Sequence, residues 1–202
     1  DLTPDMLEQL GKALAGLHRV PAPDFLPTTF NYSVENVGQV HEWSGEFPDW
    51  LKTMLPRFQA ASHAGLPRGM VHGDIFYDNV LYENGRLAAV LDFEDACHYY
   101  LAFDLGMCAA GCCAPGGEFS LELTAALLRG YQSLRQLTQA EKEVLQVQIV
   151  HAAAVTGFWR YRQYNIYHPG IGQENRHVPM MRLSQQVDGI DAAEFKREVF
   201  GN

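Results

Sequence analysis

The chain has 202 residues, 47% of them apolar and 19% charged, a composition that excludes a disordered tail and suits one domain, or one and a small piece. With 15 basic against 24 acidic residues the net charge is −9, so neither a general nucleic-acid binder nor an anionic-membrane binder is expected, because each needs a basic face. No apolar run is long enough to span a membrane. The start Asp1-Leu2-Thr3-Pro4 lacks both an initiator Met and a leader pattern, which reads as a processed or truncated piece.

In chain order, Thr3 as cap and Pro4 as first helical residue predict a helix over residues 3–20, with Leu7, Leu10, Leu14 and Leu17 on its buried face. Pro21, Pro23 and Pro27 force a loop. A second helix is expected over residues 47–60, carrying Trp50, Leu51, Met54, Leu55 and Phe58, with Pro56 bending or shortening it. Gly69-Met70-Val71 reads as a short strand. Residues 79–82 and 87–91 flank Asn84-Gly85, the strongest short hairpin signal. A helix buried all round is expected over residues 103–113, and another helix over 121–134. Thr138 and Glu141 form a capping box that opens a long helix to about Arg162, with Leu145, Ile149, Ala152, Ala153, Thr156 and Trp159 inward. A break over residues 165–172 precedes a last helix over about 174–187. The fold class is mostly α with a small β-hairpin, α+β.

Cys97, Cys108, Cys112 and Cys113 crowd together as a poor disulfide framework. They are expected to be free and buried, which points to a reducing, cytoplasmic setting.

The chemistry concentrates in His72-Gly73-Asp74-Ile75-Phe76-Tyr77-Asp78-Asn79 and in Asp92-Phe93-Glu94. With a turn at Asn84-Gly85, Glu83 faces Arg86 and Asn79 faces Val90. Asp92 then falls one pleat further on the same side, and two strand residues span only ~7 Å. Asp74 reaches that end through the preceding loop. Oxygen donors converging there suit Mg²⁺, and a carboxylate just outside the metal's shell orients a hydroxyl and takes its proton. Together these are the parts of phosphoryl transfer. Taken singly, a lone Asp or Asn more often serves turn hydrogen bonding. A metal-dependent hydrolase using His72, Asp74, Asp92 and His98 is an alternative that the hairpin places less well.

The two motifs are similar to the His-Arg-Asp-x-x-x-x-Asn and Asp-Phe-Gly pair of protein kinases, with Gly73 in place of Arg and Glu94 in place of Gly. With those replacements the chain resembles, over nearly its whole length, the aminoglycoside phosphotransferase and choline kinase superfamily. Leu10-Gly11-Lys12-Ala13-Leu14-Ala15-Gly16-Leu17-His18 resembles the opening helix of that superfamily's C-terminal lobe, and Phe103-Asp104-Leu105 its structural Asp motif. Leu66-Pro67-Arg68-Gly69, Asp92-Phe93-x-x-Ala96-Cys97 and Phe158-Trp159-x-x-Arg162 resemble its kinase-fold homoserine kinases.

The resemblance implies that residues 1–202 form the C-terminal lobe of a protein-kinase-like fold. It implies ATP and Mg²⁺ as cofactors and transfer to the hydroxyl of a small molecule. L-homoserine is the first candidate, with an aminoglycoside, hydroxylysine, choline or a sugar as alternatives, and a non-catalytic binding module as a further one. Asp74 would be the catalytic base, with His72 bracing its loop. Asn79 and Asp92 would bind Mg²⁺ and through it the nucleotide, and Asp104 would anchor the loop. Arg162 would meet a substrate carboxylate or serve only a surface ion pair, and Tyr77 and Asp78 would border the acceptor. Arg160, Arg162 and Arg176 favour an amino-acid acceptor, whereas Glu94, Asp95, Tyr99 and Tyr100 would suit a cationic one. Neither a Gly-x-Gly-x-x-Gly loop nor a Val-Ala-x-Lys-like strand precedes His72. The N-terminal lobe is therefore expected to be absent, the chain alone inactive, and its uncovered face able to pair two copies as a homodimer.

Overall fold

Thr3 and Pro4 start the first helix as expected. In the computed structural model, which describes residues 2–29, 33, 36–63 and 65–201, the Thr3 hydroxyl accepts the Met6 amide at 3.4 Å and α1 spans Pro4–Leu17. Its Leu7, Leu10 and Leu14 are buried beside α4 (Leu121–Gln132), which Ser120 caps. The two backbones touch at glycine. A Cβ on Gly11 would sit 2.0 Å from the Leu127 oxygen, and one on Gly130 1.8 Å from the Glu8 oxygen, so no side chain fits there.

A short 3-10 helix (Asn36–Glu42), not foreseen in the sequence, leads to α2 (Glu46–Ala61). Pro56 lies on the exposed side of α2 and does not end it. Helix α3 (Leu101–Cys112) is buried at every position, as its lack of polar periodicity implied. It packs on α5 (Gln139–Tyr161), where the Thr138–Glu141 capping box forms as read. Helix α5 runs into a π-helical turn (Arg162–Tyr167). Then α6 (Val178–Asp188) packs back along α5, with Pro179 in its first turn. It starts later than expected because residues 174–177 form a turn. The sequence reading missed α7 (Ala192–Phe200), capped by Asp191 and buried through Phe195 and Val199.

Two small antiparallel sheets interrupt the helices. β1 (Arg68–Val71) pairs with β4 (Cys97–Tyr100), Arg68 opposite Tyr100 and Val71 opposite Cys97. β2 (Val80–Glu83) and β3 (Arg86–Val90) form the expected hairpin, with Asn84 and Gly85 both at positive φ, 52° and 74°. The register differs from the expected one. Glu83 faces Arg86, but Ala88 bulges out, so Val80 and not Asn79 faces Val90. Asn79 meets the next residue instead, its carbonyl accepting the Leu91 amide at 2.9 Å.

The architecture of the described residues is mostly α with two small antiparallel sheets, in agreement with the expected α+β fold class. All four cysteines are free and buried. Among the described residues no helix is long and apolar enough to cross a membrane.

Candidate active site

Asp104, in the first turn of α3, is fully buried yet accepts three hydrogen bonds. They come from the His72 amide at 2.9 Å, the Gly73 amide at 2.8 Å and His18 Nε2 at 2.9 Å. Burial pushes its carboxyl up, but the His18 bond and charge and the two amides outweigh burial and hold it below the ordinary value. Asp104 is thus an ionised post to which the loop is pinned. Gly73 has φ 88°, and a Cβ there would lie 2.7 Å from the Asp95 oxygen. Only glycine passes between the post and the second motif.

His72 is buried and uses both ring nitrogens. Nδ1 accepts the Asp74 amide at 3.2 Å, and Nε2 donates to the Leu91 carbonyl at 2.8 Å. Its ring lies against Phe93, centroids 4.5 Å apart. It joins the loop to the strand end that carries Asp92. Asp92 itself sits at φ 65°, a left-handed conformation unfavourable for a residue with a Cβ.

Asp74 is half-buried, and its carboxyl is pushed up from 3.8 to about 6. Burial is the largest cause, followed by the charges of Asp95, Asp78 and Asp92, while a bond from Asn79 opposes them. Asn79 Nδ2 donates to the Asp74 carbonyl at 2.9 Å and to Oδ2 at 3.3 Å. These bonds use only its amide nitrogen, and Asn79 and Asp92 line the same cleft. Hard oxygen donors in that number fit Mg²⁺, which takes one or two protein ligands and completes its shell with phosphate and water. Among the described residues no three His, Cys, Asp or Glu side chains form a metal cage, so a cation there would depend on oxygens of a bound molecule.

The cleft over these groups has a volume of about 480 Å³. Asp74, Phe76, Asp78, Asn79, Asp92, Glu94 and Asp95 line it on one side, and Thr156, Trp159 and Arg160 from α5 on the other. Of the residues singled out in the sequence, Asp74, Asp78, Asn79 and Asp92 therefore share one cavity. Tyr77 does not. It is 67% exposed and borders a separate groove with Leu2, Met6 and Cys112. Arg162 is not among the lining residues either. Its guanidinium lies over the Phe158 ring at 5.4 Å, and its buried Nε has no hydrogen-bond partner among the described residues. The lining cation is Arg160, two positions earlier and so on the other side of the helix. Tyr99 and Tyr100 are buried in β4, and His98 pairs with Met70 away from the cleft. His18 was not singled out as a functional residue. The signal was its place one turn beyond Leu14, which puts a polar ring on the buried face of α1.

Residues 1–137 match the family described as the phosphotransferase enzyme family. The chain is 35% identical over 148 residues to a homoserine kinase of Gluconobacter oxydans, an alignment covering 68% of this chain and 47% of that protein. It spans about half the length of the curated relatives it matches. Among solved structures, a choline/ethanolamine kinase family protein from Mesorhizobium loti superposes with TM-score 0.72 at 15% identity, over 97% of this chain and 67% of that one. The amicoumacin kinase hAmiN, in complex with AMP-PNP, Ca²⁺ and Ami, superposes with TM-score 0.68 at 12% identity, over 96% and 63%.

Proposed function

The chain belongs to the phosphotransferase enzyme family, and from that membership we propose that it is the C-terminal, catalytic-loop lobe of a kinase acting on a small zwitterionic alcohol, L-homoserine first. The observation that carries this reading is the cleft, where five carboxylates and one amide face a single guanidinium. The likeness to homoserine kinases supports the choice of acceptor.

In this reading Asp74 orients the acceptor hydroxyl and takes its proton as the phosphoryl group transfers. A carboxyl held at about 6 is ionised at neutral pH yet more basic than an ordinary Asp, which suits that task. Asn79 and Asp92 would hold Mg²⁺ by oxygen. Bound Mg²⁺·ATP supplies the phosphoryl group and the charge that neutralises it. Asp104 and His72 keep the loop in place. Arg160 pairs with the acceptor carboxylate, the role first assigned to Arg162, and Asp78, Glu94 and Asp95 attract its ammonium. The four free thiols support a reducing, cytoplasmic setting. In this reading the lobe alone turns over no substrate, because the nucleotide cleft of such a kinase is completed by an N-terminal lobe.

The acid excess also suits a purely cationic acceptor of the choline or aminoglycoside kind. Arg160→Gln in the full-length protein separates the two readings. For L-homoserine it raises KM by more than about tenfold, the value of one charge-assisted pair. For choline it leaves KM unchanged or lowers it. Turnover of choline and not homoserine by the unsubstituted protein refutes the homoserine assignment and leaves the chemistry intact.

A further inference from the structure

Behind Asp104 lies a chain of buried polar groups that no single sequence motif spans. We propose that Tyr131, Arg135 and Glu141 are positioning residues of the catalytic loop: a one-directional hydrogen-bond chain from Arg135, itself ion-paired to Glu141, through Tyr131 fixes the tautomer of His18, and through His18 and Asp104 the backbone amides of His72 and Gly73. Its effect on turnover rests on the kinase reading above; its effect on the loop does not.

The direction follows from donor and acceptor inventories. Ionised Asp104 only accepts, so His18 Nε2, 2.9 Å away, must donate. With the proton on Nε2, Nδ1 is left as an acceptor, and its partner is the Tyr131 hydroxyl at 2.7 Å. Tyr131 therefore donates to His18, and its oxygen is free to accept. Arg135 Nη1 fills that need at 3.0 Å, and a guanidinium has donors alone. Arg135 is ion-paired in turn with Glu141 Oε1 at 2.9 Å, a charge contact and not a further hydrogen bond. The other Glu141 oxygen takes the Thr138 amide at 2.9 Å and hydroxyl at 3.0 Å. A proton on His18 Nδ1 would aim a second donor at the Tyr131 oxygen and leave the phenolic proton without an acceptor. Arg135 thus selects the tautomer of a ring that it does not touch.

The chain is dry from Tyr131 inward. His18 is 7% exposed and Asp104, Tyr131 and Glu141 are 0% exposed, while the Arg135 side chain at its outer end is 15% exposed. A group that loses its partner at the buried positions finds no water, and one missing bond propagates to the next. The far end is Asp104, whose two oxygens hold the amides just before Asp74. The chain crosses from the start of α5 through α4 and α1 to α3, so four helices set the position of one loop.

The test uses Tyr131→Phe, which deletes one oxygen and leaves the ring. Arg135→Lys, which keeps a donor, is the milder variant in case Tyr131→Phe does not fold. Tyr82→Phe is the control, because Tyr82 also ties down α1, through the Met6 carbonyl at 2.7 Å, but lies outside the chain. Imidazole ¹⁵N shifts and amide hydrogen exchange are read on this chain, with exchange normalised to core amides of α5. The unsubstituted chain is expected to show His18 as the Nε2–H tautomer. Tyr131→Phe is expected to speed exchange at His72 and Gly73 about tenfold, the equivalent of one hydrogen bond. Arg135→Lys is expected to do so by less, and Tyr82→Phe not at all. In the full-length protein the same order should appear in kcat, with the KM for ATP within about twofold. Exchange at His72 and Gly73 that follows global stability in all three variants, or His18 protonated on Nδ1, overturns the proposal. A full-length protein without kinase activity, but with the exchange pattern above, refutes the kinase reading and leaves the chain of bonds standing.

Discussion

Asp74→Asn should make this lobe more stable while removing its proposed catalytic base. The Asp74 carboxyl is half-buried among Asp95, Asp78 and Asp92, and is pushed up from 3.8 to about 6. A carboxyl raised in the folded state holds its proton more tightly there than in the unfolded chain. Stability is therefore lost as pH rises from 3.8 through about 6. The full shift corresponds to at most about 3 kcal/mol, and solvent screening at this partly open site reduces it to about 1–2 kcal/mol. Asn carries no charge and keeps an oxygen to accept from Asn79 Nδ2. For a domain of this size the gain is worth about 3–6 °C in melting temperature. Calorimetry at pH 8 in EDTA should show that gain, and at pH 3.5 the two melts should converge. A variant no more stable than the parent at pH 8, or equally stabilised at both pH values, would refute the electrostatic account of the loop.

Further expectations concern the core. His151 is fully buried between Phe58 and Phe103, with Nε2 unpartnered, and burial pushes it down from 6.5 to about 3. The unfolded chain then takes the proton first, so this group costs stability as pH falls from 6.5 toward 3, by up to about 5 kcal/mol. Urea melts at pH 7 and pH 4 should show that His151→Phe flattens this part of the acid slope. Gly130→Ala should destabilise by about 3 kcal/mol, because its Cβ would lie 1.8 Å from the Glu8 oxygen. Gly16→Ala, with nothing within 4 Å in the same helix pair, should stabilise by about 0.5–1 kcal/mol in the same thermal melts.

What was legible in the sequence was local. Thr3 with Pro4, Thr138 with Glu141, and Asn84-Gly85 each carry their structure within a few residues, and each forms as read. The missed parts depend on distant partners. β4 is Cys-His-Tyr-Tyr, buried on nearly every side, so it shows no alternation, and only its pairing with β1 makes it a strand. The bulge at Ala88 shifts the register without any glycine or proline to mark it. In the candidate site Asn79 and Asp92 were readable because they flank one hairpin, and Asp74 because its loop leads straight into it. Arg160 and Trp159 were harder to place. The face of α5 that turns to the cleft is set by packing on α3 and α6, and a shift of two positions exchanges Arg160 for Arg162. Tyr131 and Arg135 stand four residues apart, but His18 meets Tyr131 across 113 residues of chain, and no spacing rule connects those two.

The central claim is that Asp74, Asn79 and Asp92 form the phosphoryl-transfer centre of a small-molecule kinase. Its most direct test is Mg²⁺-dependent ADP release by the full-length protein with L-homoserine, hydroxylysine, choline and an aminoglycoside, in parallel with Asp74→Asn and Asp92→Asn. The account predicts acceptor-dependent release with homoserine, abolished by a chelator and by Asp92→Asn, and lowered at least about 100-fold by Asp74→Asn. Release that survives Asp74→Asn, or a protein that binds Mg²⁺·ATP and phosphorylates none of the four acceptors, would contradict it.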